Sequence, residues 1–224
     1  MSARLAGASL IVAAALFWLS WLLMPGVGIT DAGQILDLVG QHTGRVRASV
    51  AAQLLSAACY SPALVGIVAT RRLRRERAIR AGAILLAIGA MGSAADAVFH
   101  LLAVEMVGPG IDRSAVLPVM VRMQGAGLLF IAPLILAFFL GSGVLALGFA
   151  RAGVVPRANP FLWVLAVALA VIGGSLAAGH AGAAHAVGLG VLGLVSASQA
   201  WLGVALWRRP SAGDGAIPRA SKRP

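Results

Sequence analysis

Long apolar runs constrain this chain more than any other feature. Residues 5–24, 48–70, 79–105, 117–150, 160–180 and 185–207 form six such stretches. At about 1.5 Å per helical residue each can cross a hydrocarbon core of about 30 Å. Peptide groups in lipid have no water to bond to, so only helices or closed barrels span it. The runs do not alternate apolar and polar residues, so helices are expected and barrel strands are not. Charged residues are 11% of the 224, against about 25% in a soluble domain. The expected fold is therefore all-α: a polytopic membrane domain over residues 1–207 with six transmembrane helices, followed by a tail over 208–224.

The first run follows Met1-Ser2-Ala3-Arg4 and ends in Trp18, Trp21 and Met24. A signal peptide has a shorter apolar core, about 7–15 residues, and a small-residue cleavage site. This run is expected to be a retained helix. One cysteine, Cys59, precludes an internal disulfide.

The net charge is +11. In a soluble domain that would point to nucleic acid; in a membrane chain it reads as topology, and no direct nucleic-acid binding is expected. Arg4, Arg71, Arg72, Arg74, Arg75, Arg77, Arg80, Arg151, Arg157, Arg208, Arg209, Arg219, Lys222 and Arg223 fall on one side. Arg45, Arg47, Arg113 and Arg122 fall on the other. The positive-inside rule then puts both termini in the cytoplasm, N-in/C-in. Trp18 and Trp21 are expected at the outer interface, and Trp163, Trp201 and Trp207 at the inner one.

Between the first two runs, Thr30 can cap a helix with Asp31 in its first turn. Ile35, Leu38 and Val39 then form an apolar stripe, so a short helix on the outer membrane surface is expected. The loop from Arg71 to Arg80 concentrates six arginines. It suits anionic inner-leaflet lipids and an acidic cytoplasmic partner. The tail after Trp207 is basic, rich in Pro, Gly and Ser, and expected to be disordered. Pro62 and Pro133 should kink the second and fourth helices.

Polar side chains inside the runs are few. Asp96 and His100 are four apart and share a helix face. Glu105 falls at the outer boundary. Ionisable groups at membrane depth are candidates for function. Asp96, His100, His180 and His185 contain the O and N donors that zinc takes, which gives one reading: a metal-dependent enzyme at the outer leaflet. The five-residue step from His180 to His185 separates them on a continuous helix. The competing reading is a structural pair, Asp96–His100 or Asp96–Arg122, with His42, His180 and His185 in loops. Gln53, Ser56 and Tyr60 follow i, i+3, i+7 and should face the bundle, where polar groups bond between helices. Cys59 beside them is expected to be a small packing residue. Gly174 and Ala178 match a small-xxx-small pattern, so close packing of the last two helices is expected. The sequence holds no H-E-x-x-H, G-x-S-x-G or P-loop. A small transporter is a third reading, without matching broken helices in two halves.

Two resemblances bear on function. The Asp96/His100 face with late histidines resembles the alkaline-ceramidase and progestin/adiponectin-receptor membrane hydrolases, which have seven helices and a closer histidine pair. The overall plan of six helices, with basic pieces at Arg71–Arg80 and Arg208–Pro224, resembles the myxobacterial inner-membrane carotenogenesis regulators. That resemblance implies an anti-sigma-factor role in transcription and in a light response, with no cofactor. The leading expectation is thus a non-enzymatic inner-membrane regulator, with a cytoplasmic partner such as a sigma factor at Arg71, Arg72, Arg74, Arg75, Arg77 and Arg80. Uncharacterised bacterial six-helix membrane proteins share the same plan.

Reporter fusions check the orientation. A fusion after Gly108 should report the periplasm and one after Pro210 the cytoplasm; the reverse at either position refutes N-in/C-in.

Overall fold

The computed structural model describes residues 2–70, 73, 76–176 and 180–209, and among them all regular structure is helical. Helix α1 (Ala3–Leu23) is followed by the short α2 (Ala32–Gln41), then α3 (Thr43–Ala69) and α4 (Arg77–Glu105). Next come α5 (Arg113–Arg122), a π-helical turn over Met123–Gly127, and α6 (Leu128–Arg151). Then α7 (Ala158–Ala168), a second π turn over Leu169–Gly173, α8 (Gly174–Leu176) and finally α9 (Ala181–Trp207). Six of these segments are long and apolar enough to cross a membrane. Their outward faces are those of a lipid-facing surface: Met91, Leu129, Phe130 and Leu176 are each at least 70% exposed. A water-soluble monomer does not leave so much large apolar surface open.

Both prolines expected to kink their helices lie inside them. Helix α3 continues through Pro62 and α6 through Pro133. The departure from α geometry lies earlier, in the π turn that contains Gly125 and Gly127, where glycine resists distortion least.

The six long segments form a closed up-and-down ring in chain order. Helix α1 packs on α3 and α9, α4 on α3 and α6, and α7 on α6 and α9. Phe17, Tyr60 and Phe138 meet in the interior. Phe17 stacks on Phe138 at 4.5 Å, and Tyr60 meets it edge-on at 5.5 Å.

Helix α4 has its most extensive contact with α6. Gly82, Gly89 and Gly92 on α4, with Gly141 and Gly148 on α6, allow that approach. A Cβ at Gly82 would lie 2.5 Å from the Leu145 backbone nitrogen, and one at Gly148 would lie 2.7 Å from Ile79. At Gly89 and Gly92 it would run into Phe138 and Leu134. Gly7 and Gly203 do the same for α1 and α9. Among the described residues a Cβ at Gly174 meets nothing within 4 Å; Ala178, the other half of the expected pattern, lies outside them. The last two helices instead approach at Gly173 and Gly190, against Val187 and Leu169.

The short α2 is a lid as much as a surface helix. Asp31, not Thr30, is its N-cap, accepting a 2.8 Å bond from the Gln34 backbone N–H. Its buried residues are Ala32, Leu36 and Val39, with Ile35 and Leu38 half-buried. Ala32, Leu36 and Val39, with Ile35 packed against them, join Met24, Val46, Val50, Ala97, Val104 and Met120 in a second core. Arg113 fastens the lid through Asp37 at 2.8 Å and the Gly33 carbonyl at 2.7 Å. On α5, the Ser114 hydroxyl and backbone N–H hold the Asp112 carboxyl below the usual carboxylate range.

Substituting Gly89→Ala should cost about 1–3 kcal/mol through overpacking against the Phe138 backbone. Gly174→Ala should stay within about 0.5 kcal/mol of wild type. Thermal unfolding in detergent compares the two; equal midpoints would contradict the glycine seam.

Candidate functional site

Gly82, Gly89 and Asp96 are seven residues apart on α4, so one face that meets its neighbours through glycine ends in a carboxylate. Asp96 is buried, at 8% exposure. Its Oδ2 accepts a 2.8 Å bond from Gln53 Nε2–H on α3. His100, one turn further along α4, brings Nδ1 to 3.5 Å from the same oxygen. That approach lacks hydrogen-bond geometry, and Nδ1 has no other partner. Among the described residues no arginine or lysine forms an ion pair with Asp96. Arg122, one of its two expected partners, is exposed at the end of α5 and makes none.

A cavity of about 30 Å³ adjoins this group, lined by Trp21, Gln53, Gly89, Ser93, Asp96 and residues of α6 and α9. Two buried polar atoms of its lining, Trp21 Nε1 and Ser93 Oγ, have no hydrogen-bond partner. Unpaired buried donors are costly, and the walls of this cavity are almost wholly apolar. Trp21, expected in the interfacial belt, is turned into the bundle: its ring meets His100 edge-on at 6.1 Å and Phe17 at 6.4 Å.

The Gln53, Ser56, Tyr60 stripe faces inward as expected, each residue at most 1% exposed. Ser56 Oγ–H donates to the Ala13 carbonyl and Ser49 Oγ–H to that of Ser20, both at 2.7 Å, tying α3 to α1. Tyr60 O–H donates to Gln199 Oε1 on α9. Gln199 Nε2–H donates to Ser142 Oγ at 2.6 Å, and Ser142 Oγ–H to the Phe138 carbonyl at 2.7 Å. Three helices are thereby linked through one chain of bonds. Asn159 and Ser198 pair α7 with α9 at 3.1 Å. Trp163, expected at an interface, donates Nε1–H to the Phe139 carbonyl at 2.9 Å. Cys59 is half-buried and packs on the core.

Of the four zinc candidates, Asp96 and His100 come together. His180 is exposed at the start of α9, and His185 is half-buried beside Met24, Pro25 and Arg45. Among the described residues no group of three His, Cys, Asp or Glu side chains is placed to hold a metal. Glu105 is exposed, 3.8 Å from Arg47. Of the basic loop, Arg77 and Arg80 are exposed; Arg71, Arg72, Arg74 and Arg75 lie outside the described residues, as does the tail from 210.

Sequence reasoning missed Gln199, Ser142, Ser93 and the Asn159–Ser198 pair. Gln199 carried the same signal as Gln53, a primary amide within an apolar run. The serines gave none, because isolated serines are ordinary in membrane helices. Comparison with known protein families, curated proteins and solved structures gives no significant match.

Replacing Tyr60 by Phe should destabilise the bundle by about 0.6–1.7 kcal/mol, the range for interhelical bonds in membranes. Exposed Ser61→Ala should be near neutral. Unfolding in mixed micelles reads both, and an unchanged Tyr60→Phe would remove the bond chain from the account of stability.

Proposed function

We propose that the protein is a non-enzymatic multi-pass regulator of a bacterial inner membrane. It holds a cytoplasmic partner, such as a sigma factor, at its basic face, with the Asp96 centre as its sensing element. The observation that carries this reading is the buried Asp96, bonded to Gln53 and flanked by His100 and a small cavity. Ionisable groups at membrane depth are expensive to keep and mark functional sites.

The connectivity supports the link to an output. Gln53 is on α3 and Asp96 on α4, and the arginine loop joins these same helices at their far end. At 1.5 Å per residue, about 24 Å of helix separates Gln53 from Ala69, and about 28 Å separates Asp96 from Arg77. A change in the Asp96–Gln53 bond would alter the α3–α4 tie and shift the loop between two arrangements. Differential stabilisation of two states is what such coupling requires. With N-in/C-in orientation the loop is cytoplasmic and Asp96 lies in the outer half of the bilayer.

The test pairs two variants. Replacing Arg74, Arg75 and Arg77 by Gln leaves Arg71, Arg72 and Arg80 for orientation, so insertion should be normal while the partner is lost. Asp96→Asn, far from the loop, should also change how much partner co-purifies. The wild-type contact should weaken at high salt. Normal insertion of both variants with unchanged partners and transcripts would defeat the reading.

The proximity of Asp96 to His100 supports a second reading, a zinc-dependent enzyme on which His180 and His185, apart from that pair here, would have to converge. Purified protein would then hold about one zinc per chain, lost in His100→Ala. Metal-free wild type with intact function would dismiss it.

A further inference from the structure

The turn between α6 and α7 carries a groove with its charge at one end only. Arg151 closes the last turn of α6 and Arg157 is the N-cap of α7, so both guanidinium groups belong to the same end of the helix pair. Both are exposed, and neither has an acidic partner among the described residues. From there the groove, about 570 Å³, runs along Leu147 on one side and Pro160, Phe161 and Val164 on the other. Leu147 is four residues from Arg151 and Val164 seven from Arg157, which puts them about 6 and 10 Å deeper along their helices. Phe161 and Val164 are more than half exposed.

We propose that this groove binds one anionic phospholipid, with its phosphate between Arg151 and Arg157 and an acyl chain along Leu147, Phe161 and Val164. Charge complementarity selects the head group, since guanidinium bonds phosphate through paired N–H groups. The apolar lane selects the rest, because a soluble anion would use only the charged mouth. A lipid there bridges α6 and α7. Helix α7 is otherwise lightly held: only 11% of the span it opens is buried. The site is separate from Asp96 and from the Arg71–Arg80 loop, and it does not depend on orientation.

The experiment uses the full chain in mild detergent with phosphatidylglycerol, phosphatidylcholine or inorganic phosphate. Native mass spectrometry counts retained lipid, and the unfolding midpoint reports stabilisation. Wild type should retain one phosphatidylglycerol, and its midpoint should rise above that in phosphatidylcholine. The double variant Arg151→Gln/Arg157→Gln should bind phosphatidylglycerol roughly thirtyfold more weakly, as two surface arginines predict. Its midpoint in phosphatidylcholine should match wild type. Arg151→Lys/Arg157→Lys should keep most of the preference, which covers the case in which the glutamine pair fails to fold. Val164→Trp should displace the lipid by filling the lane without changing charge. Equal retention of the two lipids, full retention by the glutamine variant, or equal stabilisation by inorganic phosphate would each overturn the proposal.

Discussion

In hydrocarbon, one apolar side chain gains little by leaving lipid for another, so helices associate where their backbones can come close. Here that happens along Gly82, Gly89 and Gly92 of α4 and Gly141 and Gly148 of α6. Backbone contact makes every atom of the facing helix count toward dispersion, and it admits no added methyl group without displacement. The rest of the ring is arranged around this pair. Helix α3 leans on one side of α4, α7 on the outer side of α6, and α1 with α9 completes the circle.

Where the backbones separate enough to admit side chains, polar groups complete the contact. Ser49 and Ser56 bond to the α1 backbone, and Tyr60, Gln199 and Ser142 connect α3, α9 and α6. These bonds are satisfied within the protein, as hydrocarbon demands. The Asp96 centre differs because it is only partly satisfied. Gln53 occupies one carboxylate oxygen, while Trp21 Nε1, Ser93 Oγ and His100 Nδ1 remain unpaired around it. The proposed sensing role rests on this incomplete satisfaction.

Much of this was legible in the sequence, for reasons that differ by residue. Tyr60 and Gln53 could be assigned to the interior because a polar stripe at helical spacing has no alternative in lipid. The glycine seam could not be assigned. Gly82, Gly89 and Gly92 look like other glycines in an Ala/Gly-rich chain, and only the packed α6 backbone distinguishes them from Gly174, where an added Cβ meets nothing within 4 Å among the described residues. The contacts of Trp21 with His100 and Phe17 could not be assigned either, because the rotation of α1 decides them. Thr30 and Asp31 competed for one cap, and the start of α2 at Ala32 selected Asp31.

The sequence by itself determined the number of long helices, their approximate limits and the polar stripe of α3. Those properties follow from one-dimensional quantities: apolar run length against bilayer thickness, and helical spacing. The tertiary structure alone decided which helices touch, that Asp96 meets Gln53 and not Arg122, and that His180 and His185 stand apart from His100. Partner choice depends on the rotation of each helix about its axis and on how close two backbones can approach. Both are set by complementarity between distant segments, such as Gly89 against Phe138, which no local stretch of sequence contains.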